Sequence, residues 1–451
     1  MRRVVITGVG AVSPLGLGAG PFFAALLEAR SGTQPLARFD PGAFPARIAG
    51  EVPPFKTADY VPKSYRKATK IMARDIELAV VAADYAVRDA KLATKGILET
   101  SGDQALGDGF FRPDPARVGC NIGAGLICTD LDELTTALVQ ARDADGKFSL
   151  AKWGRSEDPN KPSGMDHLTP LWLLKYLPNM LACHVSIIHD TQGPSNTITC
   201  GQASAGLALA EACRSIQRGK ADAALVGGCE SKVHPMGLLR WNLLHRLNTQ
   251  ANDTPATACR PLDCAAAGAV LAEGGAVLVI EELEHAKARG ATIYAEVVGL
   301  GSSATAAGIE PDATGATQAA AIGKALRHAG VAPGAVQMIV PPGYAIPAWD
   351  AADHAAMQKA FGPALDGAAV VPMRGGVGDC GAGAQALDLV AAAMSVHQQV
   401  LPPATNCPRP IAGLHVPQRK TPRAIEHAVV FASALGGQNA AIVLKRYGQD
   451  A

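Results

Sequence analysis

Two short segments of this sequence place chemically useful side chains in the same local setting. Thr197-Ile198-Thr199-Cys200-Gly201-Gln202-Ala203-Ser204-Ala205-Gly206 and Val371-Pro372-Met373-Arg374-Gly375-Gly376-Val377-Gly378-Asp379-Cys380-Gly381 each read as an apolar strand, a tight turn of small residues and the start of an Ala-rich helix. A side chain at such a helix start meets unpaired backbone N–H groups and the positive end of the helix dipole. That setting favours a thiolate or an oxyanion, so both turns suit a nucleophile or the groups that serve one. Asp379 also has a structural reading, as a cap for the free N–H groups of the helix that follows, and this is the preferred one.

The elements that must position these turns are legible as a rhythm. Short apolar runs ended by Gly or Pro alternate with Ala-rich helical stretches, which predicts a layered α/β protein. Strands are expected at Val4–Ile6, Ala223–Val226, Ala276–Ile280 and Ala428–Phe431, and helices at Lys67–Arg88, Ala203–Arg218, Gly315–Ala329 and Ala384–Val396. The polar stretch Asp143–Leu168, rich in Pro and Gly, reads as a surface excursion.

Bulk properties narrow the function classes. A chain of 451 residues, 48% of them hydrophobic, can bury a large core spread over two or more domain-sized units. With 41 Lys plus Arg against 40 Asp plus Glu, the net charge is +1, which argues against a nucleic-acid partner. Gly8, Gly10, Pro14 and Gly16 interrupt the first apolar run too early for an export signal, so the N-terminus reads as a buried strand. No apolar stretch is long and clean enough to span a bilayer. The ten Cys, at 120, 128, 183, 200, 213, 229, 259, 264, 380 and 407, form no CxxC pair and read as free thiols, mostly buried, in a reducing cytoplasm. Neither a metal site nor a cofactor is expected.

The resemblance to a known family rests on several landmarks: Gly193-Pro194-Ser195-Asn196, the strand into Gln202, Ile216-Gln217-Arg218-Gly219-Lys220-Ala221-Asp222, Val226-Gly227-Gly228-Cys229-Glu230, Arg260-Pro261-Leu262-Asp263, Glu273-Gly274 and Glu282 through Glu296. With Arg3 through Gly10 at the start and Leu435-Gly436-Gly437-Gln438-Asn439 near the end, the chain resembles the elongating β-ketoacyl-acyl-carrier-protein synthases over nearly its whole length. The resemblance implies a thiolase-like fold: two pseudo-symmetric halves, residues 1–258 and 259–451, in an α-β-α-β-α sandwich, usually dimeric.

In that family a Cys at the helix start attacks an acyl thioester, and two His assist decarboxylation and stabilise developing charge. Carried over residue by residue, the Cys position falls on Gln202 and the two His positions on Pro342 and Asp379. A carboxamide forms no acyl-thioester intermediate, proline has no side-chain donor, and an ionised aspartate accepts hydrogen bonds where the family site donates them. The pocket is altered as well. The family's Phe-containing Gly loop reads Ser433-Ala434-Leu435-Gly436-Gly437, the Phe after Gly268 is Ala269, and Arg374 opens the span that ends at Asp379. Cys200, two residues before Gln202, restores a sulfur only if the turn shifts register, and is expected in the strand instead.

Gln in place of the nucleophile resembles two subgroups. Decarboxylating loading synthases keep both His, which this chain lacks; chain-length-factor subunits of type II polyketide synthases are inactive partners of a Cys-bearing ketosynthase, and the chain looks more like these. The implied partners are an active ketosynthase in a heterodimer, or a second copy in a homodimer, and an acyl carrier protein received by Lys63, Arg66, Lys67 and Lys70. Three alternatives stand beside this: a malonyl-carrier decarboxylase, an altered acyltransferase using Asp379, Tyr344 or Cys380, and a non-catalytic module that holds acyl chains or a carrier protein.

Overall fold

The computed structural model describes residues 2–101, 106–156, 158, 160–306 and 308–448. Ten strands carry the main sheet: β1 (Val4–Ser13), β2 (Val118–Ala124), β3 (Ser195–Ile198), β4 (Ala223–Ser231), β5 (Glu273–Glu282), β6 (Ala295–Ala304), β7 (Met338–Val340), β8 (Ala369–Val370), β9 (His427–Ser433) and β10 (Gln438–Lys445). They follow one another in the order β8-β7-β9-β10-β6-β1-β5-β4-β2-β3, with the short strand Gly16–Leu17 paired onto β1 beside this path.

The order is a pseudo-twofold repeat. In the first set β2 runs parallel to β3 and β4, while β4 is antiparallel to β5 and β5 to β1. In the second, β7 runs parallel to β8 and β9, while β9 is antiparallel to β10 and β10 to β6. The sets meet where Val5 lies opposite Glu296 and Ile6 opposite Ala295. The changeover between them falls between Glu282 and Ala295.

The helices of the remaining layers include α1 (Arg74–Asp89), α2 (Ser204–Gln217), α3 (Ala316–Ala329) and α4 (Ala384–Gln398). Strand alternation decides which layer each side chain joins. On β5, Val277 and Val279 pack with Ile76, Val80 and Val87 of α1, whereas Leu278 and Ile280 turn to the central layer with Leu209 of α2 and Val390 of α4. On β9, Val429 and Phe431 meet Ile322 and Ala325 of α3, whereas Ala428 and Val430 face the central layer. The layers are therefore α-β-α-β-α, with α2 and α4 between the two strand sets. Every residue of α4 from Ala384 to Val396 is buried, which its Ala-rich sequence permits without overcrowding. Close approach explains two glycines. A Cβ on Gly10 lies 2.1 Å from Ala82 O of α1, and one on Gly206 lies 2.3 Å from Gln385 Oε1 where α2 meets α4.

All four expected strands lie within observed ones, and three of the four helices match within two residues or so. The fourth differs. Residues Lys63–Ile71 form a 3-10 helix, Met72 and Ala73 are extended, and α1 begins at Arg74. Arg74 is held there by Glu273 of β5 at 2.8 Å and by Phe55, whose ring centre lies 4.4 Å from its guanidinium carbon. This tertiary tie sets the helix start, and local periodicity does not reveal it. Residues 143–168 lie largely at the surface and carry short helices at Leu150–Gly154 and Met165–His167; Glu157 and Pro159 of that stretch lie outside the described residues.

Candidate functional site

The two strand-turn-helix segments face each other in the central layer. Each helix is entered through a single 3-10 turn, Gly201–Ala203 before α2 and Gly381–Gly383 before α4, and each turn opens on a glycine with positive φ (53° and 55°). The second segment is less simple than a strand followed by a turn: a four-residue helix, Arg374–Val377, stands between β8 and Asp379. Gln202 sits inside the first turn, 2% exposed, and its Nε2 donates to Asp379 Oδ2 at 3.2 Å.

Asp379 is the hub of a buried ionic cluster. Its Oδ1 accepts from Gly381 N at 3.2 Å, its Oδ2 lies 3.5 Å from Lys232 Nζ, and Arg374 Nε stands 3.8 Å from Oδ1. Arg374 Nη1 in turn donates to Pro342 O, so Gln202, Asp379 and Pro342 are joined through Arg374. Burial works against a charge on Asp379, but Lys232, Arg374, the Gln202 amide and the Gly381 N–H outweigh it and hold the carboxyl below its usual range. Burial likewise opposes the charge on Lys232, and Asp379 and Glu230 restore it. Asp379 does accept an N–H at the start of the second 3-10 turn, and it is also a counter-ion for two buried cations.

A cavity of about 700 Å³ opens beside Gln202. Its wall includes Leu126, Cys128, Lys232, Arg240, Trp241 and Leu435, and Lys232 Nζ lies 4.7 Å from the centre of the Trp241 ring. Of the pocket residues expected from sequence, Leu435 lies on this wall. Ala269 packs behind it in an apolar cluster with Trp241 and Leu247. Arg374 is buried against Tyr344, 4.4 Å from its ring centre, and Ser433 contributes its carbonyl to the Tyr344 hydroxyl. Cys200 is off the wall and also outside β3, which ends at Ile198. It is half-buried in the approach to the turn, where its N–H donates to Ser204 Oγ at 2.8 Å. Its place outside the strand follows from that hydrogen bond, which bends the chain toward α2.

The other candidate reactive groups are subdued by burial. The Cys380 thiol is pushed well above its ordinary pKa by burial and by Asp379, the Cys200 thiol is raised by burial, and burial raises the Tyr344 phenol. Lys63, Arg66, Lys67 and Lys70 are exposed on the 3-10 helix that precedes α1. Sequence reasoning stopped at Glu230 and missed Lys232 and Trp241. The available signal was a lysine immediately after a strand of nine buried residues, where an ammonium needs a counter-ion.

Comparison with known proteins places this geometry. Residues 1–286 match the family model described as beta-ketoacyl synthase, N-terminal domain, and residues 294–408 match the corresponding C-terminal domain. The chain is 33% identical over 457 residues to 3-oxoacyl-[acyl-carrier-protein] synthase 2 of Coxiella burnetii, covering 99% of each. It is 30% identical to putative polyketide beta-ketoacyl synthase 1 of Streptomyces cyaneus, covering 98% of each. Among solved structures, the ishigamide ketosynthase/chain length factor superposes with a TM-score of 0.79 at 26% identity, covering 99% of this chain and 100% of that one. A type II polyketide acyl-carrier protein in complex with its ketosynthase bound to the hexaketide gives 0.81 at 25%, with the same coverage.

Proposed function

The chain belongs to the β-ketoacyl synthase family, and from that premise we propose that it is a catalytically degenerate member acting in fatty-acid or polyketide synthesis as a chain-length-factor-like partner of an active ketosynthase. The observation that carries this reading is the Gln202–Asp379 hydrogen bond. Where the family presents a sulfur and two imidazoles, this chain has an amide tied to a carboxylate that is itself neutralised by Lys232 and Arg374. Such a cluster offers no nucleophile, and its carboxylate accepts hydrogen bonds where the family's imidazoles donate them.

A structural role remains open to such a chain. The 700 Å³ cavity has the dimensions of a small-molecule site and an apolar wall, which suits an acyl chain. Leu126 and Leu243 on its rim are 64% and 67% exposed, and β3 is an edge strand whose Ser195 and Asn196 are exposed. Exposed apolar rims and open strand edges are where a partner chain is accommodated. The relatives that resemble this chain include a ketosynthase/chain length factor and a ketosynthase bound to its carrier protein, which favours a Cys-bearing ketosynthase and an acyl carrier protein as the partners.

The test has two arms. Incubated alone with radiolabelled acyl- and malonyl-carrier protein, the chain is expected to take up no covalent label and to release no extended product. Co-expressed with a Cys-bearing ketosynthase from the same source, it is expected to purify as a heterodimer. Unaided acylation and extension, or repeated isolation of a homodimer free of ketosynthase, would overturn the proposal.

A further inference from the structure

A second cavity, of about 460 Å³, adjoins the one beside Gln202. Cys128 and Ser231 face both, so the two share a wall. Their linings contrast. The first is dominated by leucines and Trp241, whereas the second carries Arg38, Arg74, Asp75, Lys175, Tyr176 and His234.

Nearly all of these polar groups are already engaged. Arg38 and Arg74 bind Glu273 at 3.1 and 2.8 Å, Lys175 and Tyr176 both bind Glu133, and His234 Nδ1 accepts from Met236 N at 3.1 Å. Asp75 is only partly engaged, through a hydrogen bond from the Ser231 backbone. It is 2% exposed, and its Oδ1 has no hydrogen-bond partner. An orphaned oxygen on a buried carboxyl costs roughly 1–3 kcal/mol unless a ligand or water satisfies it. Burial, with the negative charge of Glu230 close by, pushes the Asp75 carboxyl well above its ordinary range. The shift favours the protonated carboxyl, a form that can donate as well as accept.

We propose that the Asp75 cavity is the far end of the acyl site and takes a chain whose distal end carries a hydrogen-bonding group, such as a hydroxyl or a keto oxygen, with Asp75 as the recognising residue. This rests on the reading of the first cavity as an acyl site. A plain alkyl end passing Cys128 and Ser231 leaves Asp75 Oδ1 unsatisfied, whereas a terminal oxygen satisfies it. Discrimination by a buried polar group of this kind comes from the cost of leaving it unpaired.

The experiment measures binding of a homologous series of acyl-pantetheines, each with and without a terminal hydroxyl, to the full chain by native mass spectrometry and calorimetry. At the chain length that reaches the second cavity, the hydroxylated ligand is expected to bind roughly tenfold tighter to the wild type. Asp75→Leu should abolish that preference while leaving binding of the plain chains intact, and Asp75→Asn should retain part of it. Equal binding of both ligand types by the wild type, or an unchanged preference in Asp75→Leu, overturns the proposal and leaves the acyl-site reading standing. If no member of the series binds, both fall together.

Discussion

Gln202 Nε2 donates to Asp379 Oδ2 at 3.2 Å, and this one hydrogen bond links the helix starts of the two halves of the molecule. Its donor and acceptor are set by their neighbours: Asp379 is ionised because Lys232 and Arg374 flank it, so the amide turns its NH₂ toward the carboxylate.

Restoring the sulfur alone should not restore chemistry. A thiol introduced by Gln202→Cys is buried and beside a carboxylate, and both factors raise its pKa. Alkylation by iodoacetamide at neutral pH is expected to be on the order of tenfold slower than for a free cysteine, with no stable acyl-enzyme formed from acyl-carrier protein. Mass spectrometry of the intact protein after each incubation checks both outcomes.

Asp379 compensates two buried cations, so Asp379→Asn should destabilise the fold by about 3 kcal/mol at neutral pH, the cost of stranding buried charge. The pH dependence follows from the direction of its shift. A carboxyl whose folded pKa is lowered contributes stability above its unfolded pKa of about 4 and loses it as pH falls further. The gap between wild type and variant in urea unfolding should therefore narrow on acidification below that point.

Asp388 titrates with the opposite sign. Burial lifts its pKa to about 7, with Arg374 lowering it and Asp379 raising it, so its contribution is complete below about pH 4 and is lost as pH rises toward 7. Asp388→Asn removes this group's ionisation. Relative to wild type, the variant should gain on the order of 1 kcal/mol per pH unit across that window, read as the difference in urea midpoints between acidic and neutral buffers.

On the 3-10 helix before α1, the double reversal Arg66→Glu with Lys67→Glu changes exposed side chains and should leave the unfolding midpoint within about 0.5 kcal/mol. If this face receives an acidic carrier protein, affinity at low salt should drop on the order of tenfold, and the difference should fade as salt screens the charges. Titration by surface plasmon resonance at several ionic strengths gives both numbers.

Much of this molecule was readable in one dimension. The strand-turn-helix plan of the two segments around Gln202 and Asp379, the Ala-rich helix from Ala384 and the layered α/β class all rest on short-range patterns. Local sequence encodes such patterns because side-chain periodicity and small-residue turns act within a few residues. Family membership was legible for the same reason, through runs such as Gly219-Lys220-Ala221-Asp222 and Val226-Gly227-Gly228-Cys229-Glu230.

Tertiary structure decided the rest. The start of α1 at Arg74 depends on Glu273, far along the chain, and the ionisation of Asp379 depends on Lys232 from the end of β4. Cys200 is neither in its strand nor on the cavity wall, because the Ser204 hydroxyl bends the approach to the turn. Asp75 falls unmarked inside the helix expected over Lys67–Arg88, yet in the fold it is a buried first-turn carboxyl with an unpaired oxygen beside a cavity. Sequence fixes which groups are available and the elements that carry them. Burial and the approach of distant charges, which exist only once the layers have packed, determine the protonation states and partners those groups end up with.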